Sequence, residues 1–150
     1  MQDFTRVMEE AVSRGSAPVD RMAALLRHAG LRPTRQRVDL GRVLFARGHR
    51  HISAEDLHAE AEVAGVRVSL ATVYNALHQF TEAGLLREVA IDGTRTYFDT
   101  NVSDHHHFFV EGEGRLIDMK QGVGIADLPE PPEGTEIVAV EVVVRVRRRA

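Results

Sequence analysis

The chain contains no cysteine. That absence removes any disulfide framework and any thiol redox chemistry, and it means that a metal must be held by nitrogen and oxygen rather than thiolate. Long apolar runs are also missing, since none approaches the roughly 20 residues of a membrane span. The first fifteen residues, MQDFTRVMEEAVSRG, mix charges and lack an apolar signal core, which points to a cytoplasmic protein with no membrane partner. No HExxH pattern, no Ser/His/Asp arrangement and no internal repeat is found. What is present, 150 residues with 43% hydrophobic content, is enough to bury a core in one ordinary domain or two small ones.

Net charge is −3, which by itself argues against a nucleic-acid binder. Its distribution argues the other way. Between Arg32 and Arg50 six arginines (Arg32, Arg35, Arg37, Arg42, Arg47, Arg50) face one acid, Asp39. After residue 98, ten acids face six bases. A basic front can meet phosphate while an acidic back keeps the molecule soluble.

Punctuation and periodicity give the elements. Residues 1–17 read as a polar lead helix. Asp20 to Ala29 carries Met22, Leu25, Leu26 and Ala29 on one stripe and stops at Gly30. Pro33 biases Arg32 toward extended backbone, Thr34 is a good N-cap, and helix follows to about Arg47, burying Val38, Val43 and Leu44. Ser53 with Asp56 three residues on opens a third helix, with Leu57 and Ala61 inward and Gly65 as its stop. After the short extended Val66–Val68, Ser69 caps a fourth, in which Val73, Leu77 and Phe80 recur at helical spacing and Gly84 closes the end. Leu85–Ile91 and Thr94–Asp99 alternate as strands around Asp92-Gly93, a hairpin signal. Helix, turn, capped helix and hairpin is the order of a winged helix-turn-helix, whose second helix of the pair enters the major groove of double-stranded DNA.

The pattern then changes. His105–Val110 and Arg115–Met119 read as strands joined by Glu111–Gly114. A connector, Leu128-Pro129-Glu130-Pro131-Pro132, cannot be helical. Ile137–Val146, almost wholly β-branched, reads as one long strand. The apolar strand needs a cover, which a twofold mate supplies. The expected fold is therefore α+β: an N-terminal winged helix-turn-helix followed by a small β-rich dimerisation domain.

Three of the eight histidines stand together in Asp104-His105-His106-His107. An internal run followed by Phe108-Phe109-Val110 is no tag scar; the choice is between a solvated loop and a metal or haem ligand set. Along an extended backbone His105 and His107 share a face, and His106 points the other way. The triplet is then not one tridentate clamp.

Arg32-Pro33-Thr34-Arg35-Gln36-Arg37, His51-Ile52-Ser53-Ala54-Glu55-Asp56-Leu57, Leu70-Ala71-Thr72-Val73-Tyr74 and the histidine run together resemble the ferric uptake regulator (Fur) superfamily over residues ~20 to ~120. Ser69 through Asn75, the full HHH run and the missing cysteines are most similar to its iron response regulator (Irr) branch. The resemblance implies a homodimeric, metal-responsive transcription regulator of iron or haem homeostasis, with residues 1–98 binding an A/T-rich operator and 99–150 dimerising and sensing. The chain departs from the family pattern in several places. The first CxxC pair of many members falls on Val110 and Glu113, so no cysteine-ligated structural zinc is possible. Asn75 stands where arginine is common, the proline-rich connector replaces a C-terminal helix, and a Cys-Pro haem motif is absent.

The same resemblance implies a hinge metal site of His51, Asp99, His105, His107 and Asp118. Three imidazoles and two carboxylates suit manganese or iron(II), or zinc with fewer ligands engaged. His106, with Asp104, is a candidate for a second metal or haem site. Tyr74 is the candidate base reader, packing on a thymine methyl, with Ser69, Thr72 and Asn75 near the groove. Arg32 suits a narrow minor groove, and Arg35, Arg37 and Arg67 suit phosphates. His28, His49, His58 and His78 read as surface or groove residues. Two other readings compete: a winged-helix regulator with structural histidines and another effector, and a metal-dependent hydrolase.

Overall fold

The computed structural model describes residues 18–92 and 95–150. The expected lead helix, 1–17, and the Gly93 turn position lie outside the described residues. Two compact units divide after Val102. The fold is α+β, with a helical first unit and a β-rich second.

The first unit runs α1 (Pro18–His28), α2 (Arg35–Phe45), β1 (His51–Ile52), α3 (Ala54–Val63), α4 (Leu70–Glu82), β2 (Arg87–Asp92) and β3 (Arg95–Asp99). Three helices begin where a hydroxyl satisfies a free amide. The N–H groups of Arg37, Asp56 and Thr72 donate to the side chains of Thr34, Ser53 and Ser69. The Ser53 hydroxyl also donates to Asp56 at 2.7 Å. Each helix then buries one stripe: Leu25 and Leu26, Leu40 and Leu44, Leu57 and Ala61, and Val73, Leu77 and Phe80 meet in one core with Phe98 of β3. Gly41 lets α1 and α2 approach closely, because a Cβ there would stand 2.7 Å from the Met22 sulfur. Gly84, at φ 77°, turns the chain out of α4.

The sheet order is β1-β3-β2, with antiparallel neighbours. Leu85 and Leu86, expected in the hairpin's first strand, are buried in the core before the ladder begins at Arg87. The second helix stops at Phe45 rather than near Arg47, and Val66–Val68 joins no strand pairing. The unit runs on to Val102, and Thr100 is tied back into it. Thr100 N–H donates to the Arg50 carbonyl, and its hydroxyl oxygen accepts from Arg50 N–H at 2.8 Å.

The second unit contains β4 (His107–Val110), β5 (Arg115–Asp118) and β6 (Val143–Val146), in the order β5-β4-β6. β4 is antiparallel to β5 and parallel to β6. Two expectations are corrected here. The first strand starts at His107, not His105. The long strand expected over 137–146 is only Val143–Val146, because its partner β4 is four residues long and the ladder ends with it. Upstream, Val138 is 89% exposed. Composition measured how well those residues would suit a strand, but pairing needs a neighbour. Among the described residues, Val110 and Leu116 are the unit's buried apolar side chains. Phe108 faces Ile117 on one side and Val144 on the other, and these three are 36%, 37% and 39% exposed. Among the described residues, no helix is long and apolar enough to cross a membrane.

Candidate metal centre and nucleic-acid interface

Each unit gathers part of the histidine and acid set. In the first, β1 and β3 place His51 directly opposite Asp99. His51 Nε2 lies 3.0 Å from Asp99 Oδ2. The Asp99 residue is 1% exposed, and its other oxygen accepts from Asn101 N–H at 2.8 Å. A carboxylate so far out of water costs several kcal/mol unless positive charge or donors compensate it.

In the second unit His107 stands opposite Asp118 across the β4–β5 ladder. His105 approaches from just before β4, its ring 4.5 Å from that of His107. Both imidazoles aim Nε2 at the same Asp118 Oδ1, at 3.2 and 3.4 Å. His105 Nδ1 contacts the Ser103 carbonyl at 2.6 Å. A carbonyl only accepts, so Nδ1 carries a proton, and Nε2 is left to face the carboxylate. Two electron-rich atoms facing each other need a proton or a metal cation at the point where they converge. The ligand atoms of His105, His107 and Asp118 lie within 4.8 Å of one another. Imidazole nitrogen with carboxylate oxygen is a donor set that fits a divalent first-row cation.

His106 takes no part in this cluster. Its Nδ1 accepts from Val142 N–H at 3.2 Å, and its carbonyl accepts from Met119 N–H. Among the described residues, His106 and Asp104 belong to no group of three or more metal-binding side chains. Of the remaining histidines, His58 is not simply a surface residue, since its Nε2 contacts the Val68 carbonyl at 3.0 Å and steadies the entry to α4.

The candidate DNA-binding residues lie on α2 and α4 or in the few residues before them. Arg32, Arg35, Arg67 and Asn75 are exposed. Arg35 pairs loosely with Asp39 at 3.8 Å. Arg37 is more restrained: its Nε donates to Gln79 at 3.0 Å and its Nη1 to the Arg32 carbonyl at 2.8 Å. Arg37 thus fastens α2 to α4 as well as offering charge. Ser69 and Thr72 hydroxyls lie 3.0 Å apart within the cap, so part of their hydrogen-bonding capacity is already spent. Tyr74 is half-buried and stacks on His78 at 6.4 Å. Its hydroxyl donates to Glu55 at 2.8 Å.

Sequence reasoning missed Glu55, Arg95 and Gln79. Glu55 reads as an ordinary acid in a helix's first turn, and Gln79 as one polar residue among several. Arg95, first residue of β3, carried a signal in its place beside the wing turn. Its guanidinium pKa is pushed up, first by a hydrogen bond with Tyr97 and further by the charges of Asp56 and Glu55.

Comparison with known proteins follows the same lines. The sequence model described as "Ferric uptake regulator family" matches residues 28–142. The chain is 32% identical over 97 residues to the peroxide-responsive repressor PerR of Staphylococcus aureus, a match covering 65% of each chain. It therefore spans about 65% of the length of such curated relatives. Among solved structures, the ferric uptake regulator of Pseudomonas aeruginosa with manganese is similar at TM-score 0.64 and 30% identity, over 86% of this chain and 98% of that one. The Vibrio cholerae ferric uptake regulator shares the fold at TM-score 0.64 and 23% identity, over 84% and 98%. These relatives are regulators or repressors by name.

Proposed function

From the premise that the chain belongs to the ferric uptake regulator family, we propose that it is a metal-responsive, DNA-binding transcription regulator that acts as a homodimer and is not an enzyme. The observation that carries this reading is the second-unit cluster, in which two imidazoles aim Nε2 at one carboxylate oxygen. The His51–Asp99 pair supplies a second set of the same chemistry. We propose that one divalent ion takes ligands from both sets, His51 and Asp99 with His105, His107 and Asp118. An ion so held ties the first unit to the second, and so sets the spacing of two recognition helices in a dimer. Manganese and iron(II) suit the five-donor set, and the similar Pseudomonas aeruginosa regulator was solved with manganese.

The proposed DNA ligand is an A/T-rich duplex. Tyr74 and Asn75 would read base edges, Arg32 the minor groove, and Arg35, Arg37 and Arg67 the phosphates, with Ser69 and Thr72 at the groove floor. The proposed partner is a second copy, supported by the apolar row Phe108, Ile117 and Val144 on the small sheet. Control of iron or haem homeostasis, as in the Irr branch, is the finer proposal and rests on the sequence motifs. To bind haem, either ring would have to leave the cluster, because His107 is 3% exposed and His105 Nε2 already faces Asp118.

The test is selection of duplexes from a random pool by the purified chain, with chelator, manganese, iron(II), zinc or haem added in turn. Metal-dependent retention of one sequence class, lost in His107→Ala, is expected. Retention that ignores metal would favour a regulator with structural histidines and another effector.

A further inference from the structure

Glu55 is an acid bonded to Tyr74, the proposed base reader, where a phosphate ligand nearby would want none. It stands in the first turn of α3, where the helix dipole favours a carboxylate. It does more than cap. Its Oε1 accepts the Tyr74 hydroxyl at 2.8 Å, across nineteen residues of sequence. The Tyr74 ring stacks on His78, and His78 sets its edge against Phe98 at 5.8 Å, which is fully buried. The tyrosine is thus held at both ends: its ring through His78 to the core, its hydroxyl by Glu55. The neighbouring acid, Asp56, is occupied with the Ser53 hydroxyl. Glu55 and Asp56 also act electrostatically on Arg95 at the start of β3.

We infer that Glu55 is a specificity-determining positioning residue. It fixes where the Tyr74 ring presents itself, and its negative charge offsets that of Arg95, which lowers the attraction for any duplex that is not the right one. The inference rests on the DNA-binding reading above. Phosphate attraction is sequence-independent and supplies most non-specific binding. Discrimination is a difference between two affinities, and a repulsive charge raises it when the loss is recovered only at the correct site. An anchored Tyr74 supplies that recovery, because a ring already in place does not lose freedom on meeting a base edge. Glu55 touches no base itself; it acts through Tyr74.

The experiment uses the full chain with manganese. The probes are the duplex that the wild-type chain selects from a random pool and a shuffled duplex of equal length. Glu55→Gln keeps an acceptor for the tyrosine and removes the charge, so binding to the shuffled duplex tightens severalfold and the selected-to-shuffled ratio falls moderately. Glu55→Ala removes both, and the ratio falls further, by about twofold more, the scale of one solvent-exposed hydrogen bond. Tyr74→Phe reproduces that second loss. Glu55→Ala with Tyr74→Phe loses no more than the larger single change, because both act on one contact. A merely structural Glu55 would lower affinity for both duplexes together and leave the ratio alone. An unchanged ratio in both Glu55 variants, or additive losses in the double variant, overturns the inference. Failure of the wild-type chain to select any duplex instead overturns the regulator reading, and this inference with it.

Discussion

The two units solve the problem of burying apolar surface in different ways. The first closes its own core: four helices and a strand from a three-stranded sheet bring Leu26, Leu40, Leu57, Leu77 and Phe80 out of water together. In the second, Val110 and Leu116 are buried, while Phe108, Ile117 and Val144 stand in register on a half-open face. Residues 120 to 139 are exposed throughout. The first unit therefore has its stability built in. The second would draw on the two outside sources proposed for it: a partner across its apolar row and an ion among its imidazoles. A regulator that responds to metal needs such an asymmetry, since an element already at full stability has little left for a ligand to change.

The largest test of this contrast is Phe80→Ala. A fully buried phenylalanine at the centre of a closed core costs about 3–5 kcal/mol on truncation, a large share of the roughly 5–15 kcal/mol that holds an ordinary domain folded. Denaturant titration should show the loss in the first unit at any protein concentration. The contrast would break if the second unit's signal collapsed to the same extent.

Metal should act the opposite way. Manganese at a hundredfold excess over its dissociation constant contributes about 2.7 kcal/mol to whatever state binds it. That gain should appear as a raised thermal midpoint and vanish in His107→Ala. His51→Ala should weaken manganese binding as well if one ion draws on both donor sets. Calorimetry of the two variants decides this: an unchanged affinity in His51→Ala would confine the ion to the second unit.

Phe108→Asp addresses the partner. Burying a phenylalanine fully is worth about 1.5–3 kcal/mol, so a charge in the centre of the apolar row should raise the dimer dissociation constant at least about tenfold. Sedimentation across a dilution series measures it. The first unit's core should be unaffected. A dimer that survives the change would place the interface elsewhere.

The contrast between units also explains what was legible beforehand. Caps and stripes are local signals, and Thr34, Ser53 and Ser69 opened helices where the sequence placed them. The alternation of His105, His106 and His107 was also readable, although only His107 lies in a strand: His105 and His107 converge on Asp118, and His106 turns to Val142. Long-range pairing was not readable. Nothing in the β-branched run 137–146 announces that β4 has room for four residues. Nor does anything local link Glu55 to Tyr74 or Arg37 to Gln79, because each link depends on how two helices cross. The histidines and acids could be named as candidates, whereas the geometry of each group came only with the register of β1 on β3 and of β4 on β5.

The smallest test compares one carboxylate in each unit. Glu55 is held below the usual carboxylate range, chiefly by the Tyr74 hydroxyl, and the same bond pushes the Tyr74 phenol up. With Glu55 lowered on folding, the bond's contribution is complete above the unfolded carboxylate's pKa and is lost as pH falls through the folded one. With Tyr74 raised, it is complete below the unfolded phenol's pKa and is lost as pH rises through the folded one. The bond therefore supports the first unit across the neutral range and fades at both ends. Both groups are largely in water, so Tyr74→Phe should cost only a few tenths of a kcal/mol, read as a slightly flatter stability–pH curve. Glu113 in the second unit is also lowered, first by its hydrogen bond to Arg148. Both residues lie at the surface, and Arg148→Ala should leave the melting curve unchanged at any salt concentration. A larger effect at Arg148 than at Tyr74 would mean that the second unit's edge is held by its own charges, and that its dependence on a partner has been overstated.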